Sequence, residues 1–231
     1  HHGRGIDAFK RGEAVDYGAL IEERKQEFVE AAAELGVSDA RFLGHDDDID
    51  LPREEIINEI ADVIGEVRPD IVITHWPYDT VAGHANATRM TMLAMEAASG
   101  IRRGRPYGPH GVKQVFFHAR SGRTNFLENQ RSQIPTAVID ITEAVHKKAN
   151  AMNRFRSQYY GEDSPLQRKL GEAIDGSTDA IHARVPYAES FIANNPEVYQ
   201  LLPLSEYGME LSKKSEPEGY EYLTQMLLDP R

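Results

Sequence analysis

One apolar run constrains the fold of this chain more than any other sequence feature. Asp70-Ile71-Val72-Ile73-Thr74 shows no alternation of apolar and polar residues, which is typical of a strand buried on both faces of a parallel sheet. Amphipathic segments of helical length precede and follow it, at about residues 52–67 and 85–98. Strands that alternate with helices indicate βαβ units, so we expect an α/β fold with a mostly parallel sheet and helices on both faces.

The remaining predicted elements continue this alternation. They are a helix at 17–35 between the caps Asp16 and Gly36, strands at 40–44, 113–118 and 136–141, a helix from its cap Thr142 to about residue 159, and one or two helices up to residue 194. We predict one domain over residues 1–194. Residues 195–231 mix Pro, Glu, Ser and Tyr and are expected to form an extended C-terminal arm.

The composition excludes several classes of function. With 26 Lys and Arg against 37 Asp and Glu, the net charge of −11 argues against a general nucleic-acid binder. No apolar run is long enough to span a bilayer, so no membrane partner is expected. The absence of cysteine excludes disulfides and thiolate zinc sites and fits a reducing compartment, for which we expect the cytoplasm. The oligomeric state stays open, although the C-terminal arm could pack on a neighbouring subunit of a homo-oligomer.

Four of the nine histidines fall where predicted strands end or the following helix starts. They are His45, His75, His84 and His118. Open α/β sheets bind ligands beyond the carboxyl ends of their strands, so these positions share the edge where a site would form. The plainer interpretation is that loops tolerate histidine, and we expect at least one of the four to be functional.

His84 and Asp79 are the sharpest candidates along this edge. Catalytic zinc takes three protein ligands and leaves one position for water, and His84 stands at a loop-to-helix junction suited to a single ligand. An ordinary histidine at a helix start is an equal alternative. Asp79 could orient a ligand or act on a proton, or simply favour a turn. The acidic run His45-Asp46-Asp47-Asp48 is either half of a metal site or a solvated loop.

Short segments along the chain form an ordered pattern. They are Arg24-Lys25-Gln26-Glu27, a helix end at 31–37, Phe42-Leu43-Gly44 followed by Asp47, Arg68-Pro69-Asp70-Ile71-Val72-Ile73-Thr74-His75, His84, Ile139-Asp140-Ile141-Thr142, Arg156-Ser157-Gln158 and Tyr187-Ala188-Glu189-Ser190-Phe191. Their order resembles that of the LmbE-like (PIG-L type) zinc-dependent N-acetylglucosaminyl deacetylases. The resemblance extends over roughly residues 12–191.

This resemblance implies a Rossmann-like fold, a zinc ion and hydrolysis of an N-acyl group, an acetyl group above all, on an amino sugar. By the same match His84 is a zinc ligand. Arg24 and Asp47 would bind sugar hydroxyls or an attached group, and Tyr187 would line the pocket. Asp79 is our candidate catalytic residue. We therefore expect a zinc-dependent N-deacetylase whose partner is a small amino-sugar substrate.

The sequence departs from the family pattern at two points. The family's A-H-P-D-D segment, which supplies two zinc ligands and a general base, is absent, and Gly3-Arg4-Gly5 resembles the loop after the family's second strand. We therefore expect the first strands to be missing from this sequence. Val81 stands where the family has the oxyanion-stabilising His of H-x-x-H. These departures favour the alternative of a non-catalytic carbohydrate- or nucleotide-binding α/β module.

Overall fold

The computed structural model describes residues 16–45, 52–79, 81–101, 107–118, 135–158 and 185–196, together with isolated positions between 205 and 224. The chain divides into two compact units. One comprises residues 1–44, 138–189 and 199–231, and the other comprises residues 45–137 and 190–198. The predicted boundary at residue 194 stays a prediction. Across the described residues, none of the helices combines the length and the apolar character that a membrane span requires.

Helices and strands alternate over most of the described chain. The helices are α1 (Tyr17–Glu34), α2 (Glu54–Val67), α3 (Ala82–Glu96) and α4 (Val145–Asn153), and the strands are β1 (Ile71–Thr74), β2 (Gln114–His118), β3 (Ala137–Asp140) and β4 (Ala188–Ala193). A π-helical turn at Ala97–Ile101 extends α3, and a 3-10 turn follows α4 at Arg156–Gln158. Asp16 caps α1 as predicted, because its carboxylate accepts a hydrogen bond from Ala19 N at 3.1 Å.

The described strands form a mixed sheet in the order β1-β2-β4-β3. β1 and β2 are parallel, with Ile71 opposite Gln114, whereas β4 runs antiparallel to β2, with Phe116 opposite Ala193. The α/β class is confirmed, but this described sheet is mixed rather than mostly parallel. The difference comes from β4, which lies in a region where the sequence predicts helix.

Three local predictions were wrong. Residues 188–193 form β4 instead of a helix, because pairing with β2 outweighs the helix propensity of Ala and Glu. Residues 40–44 form no strand; the ring of Phe42 instead packs against Phe28 of α1 at 5.1 Å. Thr142 does not cap α4, because its amide binds Asp140 Oδ1 and its hydroxyl accepts from Tyr187 N, so the helix begins only at Val145.

The unit that holds β1 and β2 is built on the packing of α2 against α3. Apolar residues recur on one face of each helix at helical spacing, and they form a single buried cluster. Its members are Ile56, Ile57, Ala61, Ile64, Met90, Ala94, Ala97 and Ala98. α2 ends at Val67, and its C-cap Arg68 has a φ of 53°, in the left-handed region, which turns the chain into β1. This packing holds α3 close to the carboxyl end of β1.

In the other unit, carboxylates on one face of α1 bind the segment that follows α4. Glu27 is completely buried and accepts hydrogen bonds from the Ser157 amide at 2.7 Å and the Ser157 hydroxyl at 2.6 Å. One turn later, Glu30 pairs with Arg156 at 3.0 Å, and Glu34 pairs with Arg154. Because the contacts of Glu30 and Glu34 are exposed and that of Glu27 is buried, Glu27 carries most of the stabilisation.

We predict that Glu27→Ala lowers the free energy of unfolding by about 1–3 kcal/mol, because it leaves the buried Ser157 amide without its acceptor. Urea denaturation measures this effect. Glu22→Ala is the matched control: Glu22 lies on the same helix, and its side chain is 73% exposed in an ion pair with Lys25. Its effect should stay within about 0.5 kcal/mol. Equal losses in the two variants would contradict the role of the buried contact.

Candidate metal centre

A short connection between β1 and α3 carries the candidate site. β1 ends at Thr74, and α3 begins at Ala82 after its N-cap Val81. Between them the chain reverses in a turn that is closed by a hydrogen bond from Asp79 N to Trp76 O at 3.0 Å. Since β1 is a strand of a parallel pair, this connection lies at the sheet edge where α/β proteins place their ligands.

Three potential metal ligands meet in this connection. One ligand atom each from His75, Asp79 and His84 lies within 4.8 Å of the other two. The imidazole rings of His75 and His84 are stacked, with centroids 4.1 Å apart and planes inclined by only 5°. Asp79 completes the group through Oδ2, which lies 3.1 Å from His84 Nδ1. The loop and the first turn of α3 therefore bring two imidazoles and one carboxylate together.

The environment of Asp79 sets the protonation pattern of the group. Burial by itself raises the pKa of the Asp79 carboxyl. The carboxylate accepts hydrogen bonds from Val81 N at 2.8 Å and from His84, and it lies near two imidazoles. These interactions outweigh burial and hold the pKa of Asp79 below its usual value of 3.8. An ionised carboxylate is an acceptor only, so His84 Nδ1 must carry the hydrogen of their contact. The lone pair of His84 then resides on Nε2, the form that coordinates a metal.

A buried hydroxyl fixes the two histidines relative to each other. Thr88 lies on α3 one turn after His84 and is completely buried. Its Oγ1 donates to the carbonyl oxygen of His75 at 2.8 Å and contacts Thr74 Oγ1 at 3.0 Å. The end of β1 is thereby tied to the helix that carries His84. Thr88 is thus a positioning residue for the stacked pair.

The two imidazoles and the carboxylate of this group are of the types that bind zinc. Neutral imidazole and carboxylate are ordinary zinc ligands with bonds of about 2.0–2.2 Å, so two atoms bound to one ion in tetrahedral geometry lie about 3.3–3.6 Å apart. The ligand atoms of the observed group lie within 4.8 Å of one another. Side-chain movements of about 1 Å would bring them within binding range. The donor types of this group therefore fit a divalent metal.

Two of the predicted site residues, Asp79 and His84, lie together in this group. Of the other histidines at the predicted edge, His45 contacts Glu59 of α2 at 2.6 Å and His118 packs edge-on against Phe191. Sequence reasoning placed His75 at this edge without giving it a role in metal binding. The signal was its position directly after β1, but its stacking on His84 depends on tertiary structure.

The three expected substrate contacts lie elsewhere in the chain. Arg24 is a half-buried residue of α1, and Tyr187 is half-buried directly before β4, where its amide donates to Thr142 Oγ1 at 3.4 Å. Both belong to the unit that contains α1 and α4. Asp47 lies outside the described residues. Their roles toward substrate remain predictions.

We predict that Thr88→Val weakens divalent-metal binding about tenfold, because the isosteric side chain keeps the packing but removes the hydrogen bond that fixes His75. Isothermal titration with Zn²⁺ measures the affinity, and Thr88→Ser should restore it. Thr91→Val is the matched control on the same helix, since the Thr91 hydroxyl donates to the carbonyl of Ala87 within α3 at 2.8 Å. Unchanged zinc affinity in Thr88→Val would remove Thr88 from the site.

Comparison with known families and curated relatives agrees with the sequence pattern. Residues 4–98 match the PIG-L family, described as GlcNAc-PI de-N-acetylase. A relative from Catenulispora acidiphila, named 1D-myo-inositol 2-acetamido-2-deoxy-alpha-D-glucopyranoside deacetylase 2, is 26% identical over an alignment covering 68% of this chain and 67% of the relative. The resemblance inferred from the ordered segments is confirmed.

Solved structures share the fold at low sequence identity. The conserved protein TT1542 from Thermus thermophilus is 22% identical, with a TM-score of 0.66 over 80% of this chain and 78% of its own. GalB, the 4-carboxy-2-hydroxymuconate hydratase from Pseudomonas putida, is 20% identical, with a TM-score of 0.67 over 87% and 82%. The N,N'-diacetylchitobiose deacetylase from Pyrococcus horikoshii is 21% identical, with a TM-score of 0.60 over 78% and 66%. At these identities the likeness establishes the fold alone.

Proposed function

We propose that this chain is a metal-dependent hydrolase of the LmbE-like (PIG-L type) deacetylase family and that it removes an N-acetyl group from an amino sugar or its conjugate. The observation that carries the proposal is the meeting of His75, Asp79 and His84 at the carboxyl end of β1. The deacetylase name of the Catenulispora relative supports the same reaction.

His75 and His84 are the residues that would hold the metal, for which we propose zinc. A zinc ion here would supply Lewis acidity toward the amide carbonyl and make water a stronger acid at neutral pH. The stacked arrangement of the two imidazoles suits neutral rings, because two parallel imidazolium ions 4.1 Å apart would repel each other. Neutral imidazole is also the ligand form.

We propose that Asp79 orients the ring of His84, in preference to a role as proton acceptor. Oδ1 is held by Val81 N–H and Oδ2 by His84, and the pKa of the carboxyl lies below its usual value, which makes it a weak base. A carboxylate on the far nitrogen of a ligating histidine fixes its tautomer and ring orientation. Arg24, Asp47 and Tyr187 remain our proposals for substrate contacts, and the cytoplasmic location and homo-oligomer remain predictions.

We predict that His84→Ala abolishes zinc binding and lowers deacetylation at least 100-fold, because the metal loses a ligand that Asp79 holds in place. The test incubates the zinc-loaded protein with N-acetylglucosamine and measures released acetate and free amine. His45→Ala is the matched control, because His45 pairs with Glu59 of α2. Full zinc stoichiometry in His84→Ala would exclude His84 from the centre.

The product must be measured because the fold is compatible with more than one reaction. A protein with this fold is named as a hydratase, and fold does not determine chemistry. Acetate and amine in equal amounts support the proposed hydrolysis. Sugar binding with no hydrolysis by zinc-loaded protein would instead support the non-catalytic binding module.

A second prediction concerns position 81, where the family pattern has a histidine. Val81 is 44% exposed, so the larger imidazole of Val81→His does not require repacking of a core. A donor aimed at the developing oxyanion contributes on the order of 100-fold in kcat. We therefore expect Val81→His to raise kcat of the zinc-loaded protein at least tenfold with little change in KM. Steady-state kinetics measure both constants, and an unchanged kcat would contradict an oxyanion role for this position.

A further inference from the structure

We propose that Trp76 and Tyr78 form an aromatic subsite that packs against the pyranose ring of the substrate. The two residues stand in the turn that carries the ligand group, between His75 and Asp79. The inference rests on the proposed function, since it specifies which part of an amino-sugar substrate the turn would hold.

The geometry of the turn fixes Trp76 close to the candidate ligands. Trp76 follows His75 directly in the chain, and its carbonyl accepts the hydrogen bond from Asp79 N that closes the turn. Its half-buried indole packs edge-on against the ring of Phe117, with centroids 5.7 Å apart and planes at 81°. Phe117 lies on β2 and is itself buried. The indole is therefore anchored on the sheet by a rigid neighbour.

Tyr78 extends this aromatic surface toward solvent. Its ring centroid lies 5.7 Å from that of Trp76, with the planes inclined at 59°, and the residue is 52% exposed. Neither Phe117 nor Tyr78 stacks parallel on the indole. Aromatic side chains beside a group of converging polar residues are typical of ligand sites.

A sugar ring matches the chemistry of this surface. The face of an aromatic ring carries partial negative charge, and its preferred partners present partially positive hydrogens. The C–H groups on one face of a glucopyranose present such hydrogens, while its hydroxyl groups point outward to polar partners. An acetamide without a sugar lacks this face. The subsite therefore selects for the pyranose and leaves the acyl group to the ligand cluster.

The chain allows a direct test because Trp76 is its only tryptophan. All tryptophan emission of the full-length, zinc-loaded protein therefore comes from this subsite. Titration with N-acetylglucosamine should produce a saturable change in emission, and the sugar-free probe N-methylacetamide should produce none. The absence of a saturable change with N-acetylglucosamine would overturn the proposal, and so would an equal change with both probes.

Variants separate the subsite from the metal centre. Tyr78→Ala should raise the dissociation constant for N-acetylglucosamine about five- to tenfold, while zinc affinity stays unchanged. Tyr107→Ala is the matched control, since Tyr107 is 41% exposed in the same unit and packs against Gly65 of α2. Trp76→Phe should raise KM several-fold and change kcat less than twofold. A lowered kcat at constant KM in both variants would contradict a binding role.

The same measurements distinguish the subsite from the proposed reaction. A saturable emission change without acetate release would support the subsite and contradict the deacetylase. Acetate release with unchanged sugar affinity in Tyr78→Ala would support the deacetylase and overturn the subsite. If neither a saturable emission change nor acetate release is observed, both the subsite and the deacetylase reaction are overturned.

Discussion

The hydroxyl of Thr88 is the interaction on which the candidate centre depends. It connects the backbone at the end of β1 to helix α3, and Thr88 itself is completely buried. A hydrogen bond from such a position is costly to break, because the buried hydroxyl of Thr88 would lose its acceptor. The relative placement of His75 and His84 therefore follows from packing in the core beneath them rather than from the loop between them.

Asp79 connects the turn after β1 to the ring of His84. Its two oxygens bind the amide at the N-terminus of α3 and the ring of His84, so one carboxylate both shapes the turn and sets the tautomer of a histidine. The interpretations offered by the sequence, turn former or functional acid, are thus compatible in this structure. The turn also presents Trp76 and Tyr78, so the ligand group and the aromatic surface share one short segment.

Sequence reasoning succeeded where the signal was local. The apolar run of β1, the cap at Asp16 and the amphipathic faces of α2 and α3 depend on neighbouring residues, and the structure has these elements close to where they were predicted. The predicted burial of β1 on both faces was wrong, because Ile71 and Ile73 are more than half exposed. It failed for residues 40–44 and for β4, because pairing with distant strands decides whether a short segment becomes a strand. For Asp79 and His84 the sequence identified the candidates but could not give their contact.

The sequence by itself determined the α/β class, the resemblance to the deacetylases and the residue types available at the sheet edge. These follow from periodicity and from the order of short segments, which are properties of the chain alone. Only the tertiary structure decided that His75 joins His84 and that the sheet is mixed. Both depend on contacts that side chains and strands make through space, and for the histidines the deciding contact is a buried hydroxyl one helical turn beyond His84.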